Sequence, residues 1–185
     1  MLIPVVIILI IIAAAVIWGI TSYNGFISSK NDVEESWSAM DVFLKKRYDL
    51  VPNLVNTVKG YAEHEKTTLE NLVKARNSVV SATSPEERIK GEGELTGALN
   101  KLFALAENYP DLKANQNFLN LQNQLKDLEE DIANSRRYYN ACVKTLNNKC
   151  QQFPSSLIAG LFHFEPAVMY SVEDAAEREN VQVQF

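Results

Sequence analysis

The residues that could carry chemistry here are few: two histidines, two cysteines and some charged side chains at core-facing spacing. A helical bundle can hold a pair of iron ions on inward glutamates plus two Glu-x-x-His pairs. The positions three residues before His64 and His163 are Tyr61 and Gly160, so that ligand set is missing. No Cys-x-x-Cys, His-Glu-x-x-His, phosphate-binding glycine loop or Gly-x-Ser-x-Gly occurs. Cys142 and Cys150 are eight residues apart, ~12 Å along a helix, and a disulfide needs Cα atoms within about 7 Å. Two free thiols fit a reducing compartment. His64 reads as a surface helix residue and Cys142 as core or its flank. No catalytic residue, metal ion or cofactor is expected, and the chain reads as a non-enzyme.

Four charged residues sit on or beside apolar stripes. Val58, Glu65, Leu69, Leu72 and Arg76 continue one face at steps of seven, four, three and four, and Glu129 and Arg136 flank the seam from Leu128 to Tyr139. Buried charges must be paired or they cost too much to keep. Glu65, Arg76, Glu129 and Arg136 are therefore expected to form a core charge network. It either fixes helix register or exists in two arrangements and acts as a switch.

The elements that would position these groups are helical. Prolines punctuate the chain at Pro52, Pro85, Pro110 and Pro154. Before Pro52 the apolar residues Phe26, Val33, Trp37, Met40 and Leu44 recur at helical spacing. The steric bias against α geometry before a proline predicts a break there, with a kink as the alternative. A second helix carries Leu54, Val55, Val58, Tyr61, Leu69, Leu72 and Val79 and ends near Ala82. Ser84-Pro85-Glu86-Glu87 supplies a capping serine, a proline at the first helical position and a glutamate three residues after the cap, opening a third helix. That helix turns Ile89, Leu95, Leu99, Leu102 and Ala106 inward and stops at Tyr109-Pro110. The fourth, from about Asn115 to Gln151, alternates steps of three and four through Phe118, Leu121, Leu125, Leu128, Ile132, Ser135, Tyr139, Val143, Leu146 and Cys150, close to coiled-coil geometry. The expected fold is all-α, an antiparallel up-and-down four-helix bundle. Only Val181 to Phe185 alternates with period two.

The N-terminus extends this fold into a membrane. No charged side chain occurs from Met1 to Ser29, and the apolar run Leu2 to Ile20 matches a bilayer's hydrocarbon thickness. Trp18 and Tyr23 fall where an interfacial aromatic belt would lie. A cleaved signal peptide would carry a basic start and a shorter apolar run. The chain thus reads as single-pass, in the cell (inner) membrane. Lys30 and Lys45 to Arg47 follow the span, which places the large domain in the cytoplasm. The expected organisation is 1–22 anchor, 23–152 bundle, 153–164 apolar segment and 165–185 acidic tail. Within 153–164, the residues Phe153, Leu157, Ile158, Leu161, Phe162 and Phe164 could lie on the membrane, fold back as a lid or meet a second subunit. A net charge of −5 excludes a concentrated basic face for nucleic acid. Lys45-Lys46-Arg47 and Arg136-Arg137 read as solvated or ion-paired faces.

Several strings resemble the LemA family of bacterial membrane proteins. They are Tyr23-Asn24, Lys46-Arg47-Tyr48-Asp49-Leu50-Val51-Pro52-Asn53-Leu54-Val55, His64-Glu65, Ala75-Arg76 and Glu107-Asn108-Tyr109-Pro110-Asp111-Leu112-Lys113-Ala114-Asn115. Glu129, Ile132, Arg136, Tyr139-Asn140 and Phe153-Pro154 follow in order. The chain departs from the family pattern at Leu146-Asn147 and at Tyr170-Ser171. The resemblance implies a membrane anchor, a four-helix bundle and no established enzymatic activity; some members help to build or organise membranes, including magnetosome membranes. The expected function is a non-enzymatic scaffold of a membrane assembly, a homo-oligomer with a membrane-protein partner in reach. The alternative is a signalling or sensory module that relays a conformational change.

Overall fold

A computed structural model describes residues 2–62 and 64–171. They contain helices α1 (Leu2–Lys59), α2 (Lys66–Ser81), α3 (Pro85–Ala106), α4 (Pro110–Lys113), α5 (Gln116–Gln151) and α6 (Ser155–Phe162), and among the described residues there is no strand. The acidic tail from residue 172 onward, with Glu173, Asp174, Glu177, Glu179 and the alternating Val181 to Phe185, lies outside the described residues.

The expected break before Pro52 does not occur. α1 runs through Pro52 and ends at Lys59, a helix of ~87 Å. Proline deprives the carbonyl four residues earlier of its helical donor. That carbonyl belongs to Tyr48 and accepts a hydrogen bond from Arg76 Nε at 3.4 Å. The chain breaks instead at Gly60, the residue type least suited to a helix after proline. The turn that follows is tied by side chains: Tyr109 donates its hydroxyl to Glu65 at 3.1 Å, and Asn115 Nδ2 donates to the Tyr61 hydroxyl at 2.8 Å.

The other helix ends follow their sequence signals. Ser84 accepts from the Glu87 amide at 3.2 Å, and Glu87 reaches back to the Thr83 amide at 2.9 Å. α3 stops at Ala106 and α4 is a single turn after Tyr109. Asn115 accepts from the Phe118 amide at 3.0 Å and opens α5.

Two compact units result among the described residues, one from the N-terminal stretch to Ala39 with Ser135–Met169, the other Met40–Asn134 with Tyr170 and Ser171. α1 and α5 each supply residues to both units. In the second unit, one core combines Val51, Leu54 and Val58 of α1, Leu69, Leu72 and Val79 of α2, Leu95, Leu99 and Leu102 of α3, Leu112 of α4, and Phe118, Leu121 and Leu125 of α5. Each fully buried leucine there stabilises the fold by about 2 kcal/mol.

In the first unit, Phe26 of α1, Leu146 of α5 and Ile158 and Ala159 of α6 form a smaller core, with Tyr23, Val33, Cys150, Phe164 and Ala167 packed on it. Trp37 meets Tyr139 edge-on at 5.3 Å. Tyr139 donates to the Val168 carbonyl at 2.8 Å, and Asn147 exchanges two bonds with Ala167 at 2.8 and 2.9 Å. From Leu2 to Trp18 the same unit exposes its apolar side chains all round. Among the described residues, α1 is the one helix long and apolar enough to cross a membrane.

Candidate functional site

The most concentrated polar feature of the second unit is built on Arg47. Its position on α1 follows the apolar stripe Met40, Leu44, Arg47, Val51, Leu54 and Val58 in steps of four and three. The side chain is 2% exposed. On α3, Glu92 precedes Leu95, Leu99 and Leu102 on the inward face and is 0% exposed. Arg47 Nη2 pairs with the Glu92 carboxylate and reaches its carbonyl at 3.4 Å. Nη1 donates to Thr96 Oγ1 at 3.1 Å and to Glu129 of α5 at 2.7 Å. Thr96 donates in turn to the Glu92 carbonyl at 3.0 Å. Three helices are thus joined through one guanidinium.

The electrostatics are those of a buried cation between two acids. Burial opposes the Arg47 charge, but Glu92 and Glu129 together outweigh it and hold the guanidinium above its ordinary range. Burial pushes the Glu92 carboxyl up against the opposing pull of Arg47. Glu129 is about half exposed and pairs with the other end of the guanidinium. Arg47 Nε and Glu92 Oε1 have no hydrogen-bond partner, a cost of roughly 1–3 kcal/mol for each such group. With the guanidinium locked between them, the two carboxylates do not form a free acid–base pair. A cleft of about 580 Å³ lined by Thr96, Asn100, Phe103, Gln122 and Lys126 opens beside them. A nearby pair, Arg88 and Asp41, joins α3 to α1.

The structure distributes the four expected charged residues among different settings. Glu129 belongs to the Arg47 cluster. Glu65 accepts from Tyr109, and Arg76 serves the Tyr48 carbonyl and Asn77. Arg136 is half-buried on α5 in the first unit. Of Lys45-Lys46-Arg47, read as a solvated or ion-paired face, Lys45 and Lys46 are exposed, whereas Arg47 is ion-paired and buried, because helical spacing turns only the third residue inward. Among the described residues no three His, Cys, Asp or Glu side chains gather where they could hold a metal ion. Cys142 and Cys150 are free thiols, and burial pushes the Cys150 thiol up.

The apolar segment 153–164 is two-faced. Ile158 and Ala159 are buried and Phe164 stacks on Phe26 at 4.7 Å, whereas Phe153, Leu157, Leu161 and Phe162 are exposed.

Comparison with known sequences supplies the family. The family model described as LemA family matches residues 36–185. The chain belongs to the LemA family. The protein LemA of Metamycoplasma hominis is 26% identical over 164 residues, covering 86% of this chain and 72% of that protein. The magnetosome protein MamQ 2 of Paramagnetospirillum magneticum is 24% identical over 181 residues, covering 84% and 66%. The magnetosome protein MamQ of Magnetospirillum gryphiswaldense is 25% identical over 179 residues, covering 78% and 66%. The chain therefore spans about two thirds of the length of its magnetosome relatives. This LemA-family chain is a membrane-associated protein, and its exposed apolar α1 start is compatible with that.

Proposed function

We propose that this protein is a non-catalytic, membrane-anchored scaffold whose helical body self-associates or holds a membrane-protein partner. The observation that carries the reading is α1 itself. One helix bears a fully exposed apolar stretch from Leu2 and then delivers Val51, Leu54 and Val58 to the core of the second unit. An anchor continuous with a helix that enters a packed core suits a part that positions other parts. The charges around Arg47 fit the same role, since Arg47 pairs with both Glu92 and Glu129 and joins three helices.

The body is read as an antiparallel four-helix bundle. Supporting this, the α1–α2 turn and the α3–α5 connection meet through Tyr109 with Glu65 and Asn115 with Tyr61. Alternating helix directions bring those two connections to one end. Lys30 and the basic residues from Lys45 favour the inner-membrane, cytoplasm-facing orientation. The magnetosome relatives support a role in membrane organisation.

Cross-linking the full-length protein in native membranes, followed by mass analysis, tests the scaffold. Homo-oligomers or one stoichiometric membrane-protein partner are expected without added ligand, and a protein that remains monomeric and uncrosslinked would overturn it. For the anchor, Ile10→Arg should release the protein or block insertion, because a mid-bilayer arginine costs about 2.5–3.5 kcal/mol on insertion scales.

A further inference from the structure

α6 and its entry carry no side chain with a fixed charge from Cys150 to Phe164. Eight helical residues are too few to span a bilayer. One face of α6 is spent on the small core around Phe26. The other presents Leu157 and Leu161, one turn apart, at 60 and 69% exposure, and Phe153 is 81% exposed in the turn just before the helix. An apolar face left in water has to be covered by something.

The level at which this face sits names its occupant. Phe162 packs on Tyr23 with ring centroids 4.7 Å apart. Tyr23 follows Ile20, the end of the apolar run, by three residues, a rise of ~4.5 Å. A bilayer's hydrocarbon core of about 30 Å is flanked on each side by roughly 5–8 Å of headgroup layer. Tyr23, and the side of α6 that touches it, therefore stand in that layer whenever Leu2 to Ile20 spans the core.

Lys149 Nζ, near the end of α5, donates to the Gly25 carbonyl and the Ser29 hydroxyl, both at 2.7 Å, and so holds the entry to α6 against the stretch of α1 just past the apolar run. An apolar side at the level of Tyr23 is the pattern of a helix lying in the interface plane with that side in the acyl boundary.

We infer that α6 is a second membrane contact: its Leu157 and Leu161, with Phe153 just before the helix, insert into the headgroup–acyl boundary of a phospholipid bilayer beside the anchor. The first unit then has two grips on one leaflet. The inference rests on the membrane-anchored reading, and its test separates the two.

The experiment uses the full chain with Cys142 and Cys150 replaced by serine, reconstituted in phosphatidylethanolamine–phosphatidylglycerol vesicles. Single cysteines at Leu161, Leu157, Ile10 and Val80 carry a fluorophore, and lipids carry a nitroxide either near the headgroup or deep in the chain. At Leu161 and Leu157 the shallow quencher is expected to lower emission at least twofold and more than the deep one. Val80, exposed on α2, should be unaffected by either. Quenching at Leu161 and Leu157 no greater than at Val80 overturns the α6 contact. So does quenching that appears only when a nitroxide sits on a second copy of the chain, which would make the face a subunit contact. Ile10 reports separately: strong quenching by the deep nitroxide upholds the anchor whatever α6 does, and its absence refutes the anchor itself. Leu157→Asp with Leu161→Asp should abolish quenching of a probe at Phe153 while the detergent-solubilised protein keeps its helicity. Retained quenching in that variant also counts against the inference.

Discussion

Arg76 of α2 donates from Nε to the carbonyl of Tyr48 at 3.4 Å, the acceptor that Pro52 leaves without a helical donor in α1. A long-range side chain thus substitutes for a missing backbone amide, and α1 continues where local sterics would end it. The guanidinium also lies over the Tyr48 ring, 6.0 Å from its centre.

Arg76→Met should lower stability by roughly 1 kcal/mol, the usual net worth of such a bond. In a Pro52→Ala background residue 52 regains its amide, and the same substitution should cost less. Thermal melting of the four proteins in detergent measures the coupling. An Arg76→Met loss of equal size in both backgrounds would show that Arg76 acts elsewhere.

Arg47→Met removes the cation that joins α1, α3 and α5 and leaves Glu92 buried and uncompensated. A loss of about 3–5 kcal/mol is expected for breaking a buried pair in this way. Adding Glu92→Met should recover most of it, because a volume-matched apolar pair needs no desolvation. Glu129→Gln touches an exposed partner and should cost about 1 kcal/mol or less. Melting temperatures that rank these three variants differently would refute the cluster as drawn.

Glu92 also sets a pH dependence whose sign is fixed. Burial, opposed by Arg47 and Arg88, holds its folded carboxyl above the ordinary value of 4.5. Between the two values the unfolded chain has released its proton and the folded chain keeps it. The folded state then binds more protons, so this group's contribution to stability is greatest below 4.5 and is lost as pH rises through the folded value. The stability difference between the parent and Glu92→Gln should shift against the parent over that interval. A difference that is flat with pH, or that moves the other way, contradicts the assignment.

Two glycines of α3 should respond in opposite ways to alanine. A Cβ at Gly97 meets nothing within 4 Å, so Gly97→Ala gains helix propensity, about 1 kcal/mol. A Cβ at Gly91 would stand 3.2 Å from the Val79 amide nitrogen and 3.3 Å from its Cα. Backbone atoms of a packed helix yield little, so Gly91→Ala should gain nothing or lose about 1–3 kcal/mol by overpacking. Paired chemical denaturation of the two variants decides it.

The helices were legible because hydrophobic period and capping signals are local. Ser84 with Glu87, and the three-four stripe of α5, needed no tertiary knowledge. Arg47 and Glu92 were legible in principle too, since each continues an apolar stripe in steps of three and four. Arg47 was masked by Lys45 and Lys46, which make the trio look like a solvated patch although only its third member turns inward. The continuity of α1 was not legible. It depends on Arg76 reaching Tyr48 across 28 residues, and local proline sterics argue the opposite. The pairing of Glu129 with Arg47 was hidden for the same reason: 82 residues separate them. The two faces of segment 153–164 required knowing that Phe26 and Tyr23 stand beside it.

The bonds from Lys149 to Gly25 and Ser29 join residues 124 and 120 positions apart. A chain made from its N-terminus exposes Gly25 and Ser29 long before Lys149 exists. The apolar start of α1 therefore emerges, and can enter a bilayer, while its packing partners on α5 and α6 are still unsynthesised. The residues of the Val51-to-Leu125 core are all complete before Lys149 appears. The clasp around Gly25 can therefore close only after every residue of that larger core has been made.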